Sequence, residues 1–285
     1  MKIKQYKVSK KISLANTDTF EEIADAKNKL KNIRRKISEL QDIMYAHGKY
    51  GMLICLQGMD TSGKDSLVRE VFKDVNARGV VVHSFKSPTS AELKHDFLWR
   101  HYIALPERGK IGIFNRTHYE NVLVTRVHPR YILGEKIPSV TSVDDLNDAF
   151  YHKRMERIVN FEEHIVESGI IVLKFFLHLS KEEQKNRLFR RLNRKEKNWK
   201  FSIDDLKERK LWSAYQECYE DAINRTSKKF APWYVVPADD KASARLIVAE
   251  TILQTLNNHK DIKAPSLDSE TLARLDEYKA QLAKD

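Results

Sequence analysis

The sequence contains little cysteine and no long hydrophobic run. Its two cysteines, Cys55 and Cys218, lie far apart and outside any C-x-x-C pattern, so the sequence encodes neither a disulfide framework nor a zinc site. The longest apolar stretch, residues 170–179, is interrupted by Lys174 and is shorter than the roughly 18 apolar residues of a membrane span. We therefore expect no membrane-spanning segment and a cytoplasmic location.

Acidic residues are the minority among the charged ones. The chain has 51 Lys and Arg against 40 Asp and Glu, a net charge of +11. Such an excess predicts an anionic partner, which is a nucleic acid, an acidic membrane surface or a polyanionic small substrate. The N-terminal segment is also basic, but no apolar stretch of about 7 to 15 residues follows it, so we expect no secretory signal.

Apolar, β-rich runs alternate with charged segments of helical pattern. The runs are 52–58, 79–86, 110–116, 170–179 and 232–238, and the helical segments are 18–47, 64–77, 89–103, 117–125, 144–168, 241–258 and 266–283. We take Thr17 or Thr19 as the N-cap of the first helix and Gly48 as its stop. Alternation of strands and helices predicts an α/β fold with five strands in a mostly parallel sheet, flanked by helices.

The turn between the first predicted strand and its helix satisfies G-x-x-x-x-G-K. Backbone N–H groups of such a loop surround a phosphate, and the lysine adds a charge. A glycine turn with an exposed lysine is the alternative. The residues that we expect to surround phosphate are Gly58, Met59, Asp60, Thr61, Ser62, Gly63, Lys64, Asp65 and Ser66.

Two aspartates give this loop an unusual chemistry. Asp65 stands where the motif usually has a hydroxyl that ligates magnesium. Asp60 lies inside the loop, where a carboxylate would repel phosphate unless a divalent cation intervened. We interpret Asp60 as a metal ligand or a group that steers the attacking phosphate, and the alternative is an aspartate that supports the turn.

Residues 181–210 hold twelve Lys or Arg and six Asp or Glu, a net of +6. Arg187, Arg190, Arg191 and Arg194 are spaced to fall on one helical face, where they repel one another unless an anion lies across them. A solvated basic face or an RNA-binding stripe is the alternative.

Four blocks in one order resemble the polyphosphate kinase 2 family. They are GMDTSGKDS, FNRTHYENVLVTRVHP, NWKFS and APWYVVPADDK, spread over most of residues 50–250. The resemblance implies a P-loop kinase fold similar to thymidylate kinase, with a basic helical lid at about 181–212. It also implies phosphoryl transfer between inorganic polyphosphate and nucleotides with Mg²⁺, for which Mn²⁺ is the substitute. We expect a helical extension over 1–50, a kinase core over 51–260 and a helical tail over 261–285.

The resemblance also assigns residues. It implies phosphate binding by Arg116, and closure on phosphates by Lys197 and Lys200 beside Trp199. Some members have Asp where this chain has Asn115, and because a neutral amide is a poorer magnesium ligand, we assign the metal to Asp60 with a share for Glu120.

The block NRTHYEN resembles members that accept both nucleoside mono- and diphosphates. It places Asn115, His118, Tyr119 and Glu120 at the nucleotide, although His118 and Tyr119 are equally interpreted as capping or packing residues. Arg126 either faces the donor channel or ends a solvated helix.

Lys64 and Arg116 are the residues expected to stabilise the transition state, with Asp60 guiding the metal. The acceptors are AMP and ADP, with GMP and GDP as further acceptors, and the products are ADP and ATP. We expect a homo-oligomer, a dimer or a tetramer, and no nucleic-acid partner. The rival interpretations are an ATP-dependent nucleoside-monophosphate kinase and a basic nucleic-acid-binding protein. The latter would interleave more aromatic residues with its basic stripe.

Overall fold

A single parallel sheet of five strands forms the centre of the computed structural model, which describes residues 3–284. The first two residues of the predicted N-terminal extension and the last residue of the predicted tail therefore lie outside the described residues. The strands are β1 (Gly51–Gln57), β2 (Val80–Ser84), β3 (Ile111–Asn115), β4 (Ile170–His178) and β5 (Trp233–Pro237). The predicted α/β class and all five predicted strands are confirmed.

The strands follow the order β2-β3-β1-β4-β5, and each neighbouring pair is parallel. Leu56 of β1 is in register with Asn115 of β3 on one side and with Phe175 of β4 on the other. The carboxyl ends of parallel strands form the edge at which open α/β sheets bind ligands. The register therefore places the last residue of β3 beside the loop that follows β1.

Helices cover both faces of the sheet. Within residues 3–284 the α-helices are α1 (Ala26–His47), α2 (Lys64–Val71), α3 (Trp99–Tyr102), α4 (Val124–Val127), α5 (Arg130–Leu133), α6 (Asp148–Glu167), α7 (Lys181–Leu192), α8 (Lys195–Asn198), α9 (Ile203–Lys210), α10 (Trp212–Thr226), α11 (Lys241–Asn258), α12 (Ser269–Ala273) and α13 (Leu275–Leu282). Short 3₁₀ helices lie at Ile3–Gln5, Leu14–Asn16, Ala77–Gly79, Glu92–Lys94, His118–Asn121 and Val143–Asp145.

Some predicted helices are shorter than their sequence pattern. The first begins at Ala26, after Asp25 in a left-handed conformation, so neither Thr17 nor Thr19 caps it, whereas Gly48 ends it as predicted. The segment 89–103 divides into two short helices because His95 is extended. The segment 117–125 likewise divides into a 3₁₀ turn capped by Thr117 and the short α4.

The apolar residues of the two helical layers are buried against opposite sides of the sheet. On one side, Ile37 and Met44 of α1 and Ile247 of α11 are fully buried together with Ile54 of β1. On the other side, helices α6 and α10 pack against β4 and β5. Burial of one such aliphatic side chain contributes about 1.5–3 kcal/mol, so both layers stabilise the edge of the sheet on which the loop lies.

The N-terminal segment belongs to the same packed body. Val8 donates its N–H to the carbonyl of Trp233 at 2.9 Å, and Val235 donates to the carbonyl of Tyr6 at 2.9 Å. This short antiparallel contact covers the outer edge of β5, which would otherwise expose unpaired backbone groups. The domain boundaries at residues 50 and 260 stay predictions. No helix among the described residues combines the length and the apolar character needed to cross a bilayer.

Candidate active site

The loop after β1 adopts a backbone conformation that requires glycine. Gly58 has φ of 149° and Gly63 has φ of 107°, values that L side chains rarely adopt. A Cβ on Gly58 would also lie 2.8 Å from the carbonyl oxygen of Leu177. Ser62 donates its N–H to the carbonyl of Met59 at 3.0 Å, which closes the turn. The loop therefore ends at the N-terminus of α2, where free N–H groups and the helix dipole attract anions.

Lys64 is the first residue of α2, and its side chain turns back beneath the loop. Its Nζ donates to the carbonyl oxygen of Gly58 at 2.6 Å, and the residue is buried. Burial lowers the pKa of Lys64 below its ordinary value, while nearby Asp60 acts in the opposite direction. The structure thus places a lysine inside the loop, as the motif predicts.

The first basic helix of the segment 181–210 supports the loop from behind. Arg187 of α7 is buried, and it donates to the carbonyl oxygens of Thr61 and Ser62 at 3.0 and 2.9 Å. It also donates to Ala238, Asp239 and Glu183, so all five N–H groups of its guanidinium have protein partners.

A second α7 side chain, that of Gln184, donates to the carbonyl of Asp60 at 3.1 Å. We predicted that Arg187 binds polyphosphate. The structure contradicts direct contact because no N–H group of Arg187 is free, and we assign it to loop support.

Asp60 and Arg116 form an ion pair at the mouth of the site. The distance between Arg116 Nη2 and Asp60 Oδ1 is 3.1 Å, and the side chains are 47% and 31% exposed. Arg116 has φ of 60°, an uncommon conformation for a residue with a side chain. Burial opposes the charge of Arg116, but Glu120 and Asp60 outweigh it and raise its pKa. Both residues are accessible to a substrate in the positions that the sequence predicts.

The two residues that depart from the usual motif are in contact. Asn115 ends β3 and donates its Nδ2 to Asp65 Oδ1 at 2.7 Å and to Ser84 Oγ at 3.4 Å. Asn115 is buried, whereas Asp65 is exposed. Two buried oxygens here, Asn115 Oδ1 and Thr61 Oγ1, have no hydrogen-bond partner. Buried polar atoms are normally paired, so each of these two oxygens lacks a partner that a water or a ligand would supply.

Glu120 lies in the 3₁₀ turn that follows β3 and contacts the end of β1. Its Oε1 accepts a hydrogen bond of 2.9 Å from Gln57, the last residue of β1. Gln57 also donates to Thr117 at 3.1 Å, which ties the end of β1 to the 3₁₀ turn. The sequence analysis missed Gln57, although a glutamine at the end of an otherwise apolar strand was a signal.

His118 and Tyr119 do not reach the site surface. Both are completely buried, and both contact Glu162 of α6, with His118 Nε2 at 3.0 Å and Tyr119 OH at 2.9 Å from Oε1. Their assignment to the nucleotide is therefore wrong, and the alternative interpretation as packing residues is confirmed. The reason is tertiary, because only the position of α6 determines that a carboxylate meets them in the core.

Below these residues lies a buried ion pair that the sequence analysis did not identify. Lys174 Nζ lies 2.5 Å from Glu162 Oε2 and also donates to Tyr119 OH at 2.9 Å and to the carbonyl of Thr226 at 2.8 Å. Lys174 also lies over the rings of Tyr119 and Trp233. The lysine that interrupts the apolar run of β4 was the available signal. This network fixes the turn that carries Glu120.

Arg126 also forms ion pairs with carboxylates outside the loop. Its guanidinium donates to Asp221 at 2.8 Å and to Asp148 at 2.6 Å, which joins α4 to α10 and α6. Two carboxylates already compensate its charge. Arg126 therefore links three helices, and its contact with phosphate stays a prediction.

The other cations of the segment 181–210 that we predicted to bind phosphate do not share one helical face. Helix α7 ends at Leu192, so Arg194 lies outside it and precedes α8. Arg191 contacts Asp205 at 3.0 Å, and Arg190 contacts Glu183 at 2.5 Å. Exposed cations in this segment include Arg190, Arg194 and Lys200, and Lys197 is half-buried. Lys200 lies over the ring of Trp199, which is 77% exposed.

The described residues contain no group of three or more His, Cys, Asp or Glu side chains that could hold a metal ion. Mg²⁺, however, is usually bound through one or two carboxylates and the phosphates of the substrate. Asp60 and Asp65, at the loop after β1, and Glu120, in the 3₁₀ turn after β3, are accessible or half-buried carboxylates of this kind.

Comparison with known proteins gives consistent matches. The model of the family described as Polyphosphate kinase 2 matches residues 20–264. The ADP-polyphosphate phosphotransferase of Rhodopseudomonas palustris is 43% identical over 267 residues, which cover 91% of each chain. The AMP/ADP-polyphosphate phosphotransferase of Meiothermus ruber is 42% identical over 224 residues, which cover 79% of this chain and 78% of that protein.

A solved structure also matches this chain over almost its whole length. The crystal structure of polyphosphate kinase 2 from Arthrobacter aurescens TC1 superposes with a TM-score of 0.88 at 34% identity, and the match covers 99% of this chain and 96% of that one. The similarity therefore extends over the sheet, the loop and the basic segment.

Proposed function

This chain belongs to the polyphosphate kinase 2 family, and we propose that its loop site transfers phosphoryl groups reversibly between inorganic polyphosphate and both AMP and ADP. Its relatives are named as polyphosphate phosphotransferases of ADP or AMP, so the chain is a polyphosphate-dependent nucleotide kinase. The rival interpretations as an ATP-dependent monophosphate kinase or a nucleic-acid-binding protein lack such support.

The use of both acceptors is the finer part of the proposal. It is supported by the relative from Meiothermus ruber, whose name includes AMP and ADP, and by the block NRTHYEN that this chain carries at 115–121. GMP and GDP are further acceptors to test.

The loop supplies the charge compensation that phosphoryl transfer requires. The reaction needs two phosphates held in line and cancellation of the negative charge on the transferred group. Lys64 lies inside the loop and Arg116 lies at its mouth, so we assign stabilisation of the transferred phosphoryl group to these two cations. The acceptor's terminal phosphate attacks the terminal phosphoryl of polyphosphate directly, the anhydride bond to the next phosphate breaks, and polyphosphate leaves one unit shorter. We expect no phosphoenzyme.

We propose Mg²⁺ as the cofactor, with Mn²⁺ as its substitute. The residues fit such an ion, because Asp60 and Glu120 are partly accessible carboxylates that both lie near Lys64 and Arg116. Bound with the phosphates, the ion would reduce their mutual repulsion. Asp60, held by Arg116 at 3.1 Å, would contribute a carboxylate oxygen to such an ion and keep it near Arg116.

The exposed cations of the basic segment form the proposed path for polyphosphate. Arg190, Arg194 and Lys200 reach solvent, with Lys197 beside them, and a chain with about one charge per phosphate favours several cations in sequence. Arg191 is paired with Asp205, and we expect it to exchange this carboxylate for a phosphate of polyphosphate. Closure of this segment over the loop would exclude water and prevent hydrolysis of polyphosphate.

Two further points complete the proposal. We propose a cytoplasmic enzyme, which the free, buried thiols of Cys55 and Cys218 support. We also propose a dimer or tetramer, to be tested by light scattering of the purified protein.

The family match together with the buried loop lysine carries this proposal, and ATP formation tests it. Purified protein is mixed with long-chain polyphosphate, Mg²⁺ and ADP or AMP, without ATP, and ATP is measured by luciferase while ADP is measured by chromatography. We expect both products, and we expect Lys64→Ala to lose at least about 100-fold in rate. Lys36→Ala, an exposed lysine of α1, is the matched control and should retain full activity. If ATP serves as donor and polyphosphate does not, the conventional kinase interpretation replaces ours.

A further inference from the structure

The two departures from the P-loop pattern form one structural unit. P-loop enzymes usually hold Mg²⁺ with a hydroxyl at the residue after the loop lysine and a carboxylate at the end of a neighbouring strand. Here Asp65 follows the lysine, and Asn115 ends β3. The side chains are joined by a hydrogen bond of 2.7 Å. Relative to the usual arrangement, the carboxylate and the neutral group have exchanged places. The pair carries one negative charge in both arrangements.

The hydrogen bond orients the carboxylate. Asn115 Nδ2 donates to Asp65 Oδ1, and its second, longer contact is to Ser84 Oγ at 3.4 Å. Asn115 is buried and Asp65 is exposed, so the amide holds the carboxylate from the protein side. Asn115 Oδ1 is itself buried without a partner, which is costly unless a ligand completes it.

The other two carboxylates to which we assign the metal, Asp60 and Glu120, share their charge with Arg116. Asp60 Oδ1 accepts a hydrogen bond from Arg116, and Glu120 Oε1 accepts one from the neutral amide of Gln57. Both carboxylates lie close enough to Arg116 to raise its pKa, so its charge compensates part of theirs. Asp65 accepts its short bond from the amide of Asn115 and forms no ion pair with an arginine in the described part of the chain, although it lies within electrostatic range of Lys64. A hard divalent cation therefore meets at Asp65 an exposed carboxylate that pairs with no arginine among the described residues.

We propose that Asp65 binds the divalent cation of this site and that Asn115 is a positioning residue that holds the carboxylate. The inference rests on the proposed function and changes the assignment of Asp65 from phosphate contact to metal contact. It explains why the loss of a carboxylate at position 115 does not remove the metal site.

Binding of Mn²⁺ alone, followed by electron paramagnetic resonance of the free ion, tests the proposal without turnover. We expect Asp65→Asn to raise the Kd for Mn²⁺ by about 100-fold and Asn115→Leu to raise it by about 10-fold. The exchanged variant Asp65→Asn/Asn115→Asp keeps the hydrogen bond and should return to within about threefold of the wild type. Asp74→Asn, an exposed aspartate outside the site, is the matched control and should leave the Kd unchanged.

Each other outcome overturns the inference. These outcomes are no binding of Mn²⁺ to the wild type, an unchanged Kd in Asp65→Asn, or an exchanged variant that binds no better than Asp65→Asn. ATP formation from polyphosphate, measured on the same wild-type preparation, separates this failure from that of the proposed function. A wild type that makes ATP while Asp65→Asn keeps its Kd refutes only the metal assignment. The expected Kd pattern without ATP formation refutes only the reaction.

Discussion

Arg187 donates a hydrogen bond of 2.9 Å to the backbone carbonyl of Ser62, and through it the basic helix α7 holds the phosphate-binding loop. We expect Arg187→Met to lower kcat by about 100-fold, because small displacements of positioned groups cost that much. The KM for polyphosphate should change little. Steady-state kinetics with varied polyphosphate measures both constants.

The matched variant is Arg190→Met, three residues along the same helix and exposed. It should raise the KM for polyphosphate and leave kcat nearly unchanged. If Arg187→Met instead raises only the KM, Arg187 binds polyphosphate directly and its role in loop support is wrong.

The buried pair of Lys174 and Glu162 should dominate the stability of the core. Burial alone would raise the pKa of Glu162, but Lys174 and His118 hold it below its ordinary value, so the carboxylate stays charged. Lys174→Met leaves that charge without its partner and should reduce the free energy of unfolding by about 3–5 kcal/mol. Urea denaturation followed by circular dichroism measures the change.

An exposed pair serves as the control for this experiment. Lys185 contacts Glu182 at 3.2 Å on the surface of α7, and Lys185→Met should change the free energy of unfolding by less than about 1 kcal/mol. Equal effects of the two lysine variants would show that Glu162 is protonated in the core. The double variant Lys174→Met/Glu162→Leu should recover part of the loss, because it removes both charges.

The two glycines of the loop should differ in their tolerance of alanine. Both have positive φ, but only at Gly58 would a Cβ meet backbone, 2.8 Å from the carbonyl of Leu177, while at Gly63 the nearest atom lies at 3.6 Å. We expect Gly58→Ala to abolish ATP formation. Gly63→Ala should reduce the rate only partially, because alanine at this positive φ costs about 1 kcal/mol or more of backbone strain.

Gly134→Ala is the control for these variants, because Gly134 has φ of −66° and ψ of −21°, which alanine adopts readily. It should retain both activity and Tm. A Gly58→Ala variant with wild-type activity would mean that the loop moves away from β4 during catalysis.

Lys241 should make the stability of the protein depend on pH in the alkaline range. Burial, followed by the charges of Arg187, Arg190 and Arg245, lowers its pKa to about 8 from 10.5. Between these two values the unfolded chain binds more protons than the folded one, so stability rises as the pH rises from 8 toward 10.5. Below pH 8 the penalty is fully present.

We therefore expect Lys241→Met to be more stable than the wild type at pH 7, with a difference that shrinks by pH 9.5. Urea denaturation at both pH values measures it. A difference that is the same at both values would contradict the lowered pKa of Lys241.

Local sequence patterns predicted the architecture well. All five strands, the stop at Gly48 and helix α11 follow from apolar runs and turn residues. The apolar residues that cause a segment to be buried lie within that segment, so local sequence is enough to predict it. The loop of residues 58–64 was predictable for the same reason. Its glycines, lysine and flanking strand and helix are contiguous, and its shape depends on local backbone preferences.

The role of individual polar side chains was less predictable. His118 and Tyr119 belong to the family block, yet they contact Glu162, which is more than forty residues away. Arg187 and Arg126 appeared as free cations because their partners come from other elements. A charge pattern indicates how many cations a segment has, but the partners of each cation depend on which surfaces the fold brings together.

The sequence by itself determined the sheet, the loop and, through four blocks in one order, the family. Only the tertiary structure decided which charges remain available for substrate and which are used to hold the site. Hydrogen bonds and ion pairs act over about 3 Å, so an aspartate at position 65 and an asparagine at position 115 acquire a joint role only when β3 and α2 place them side by side.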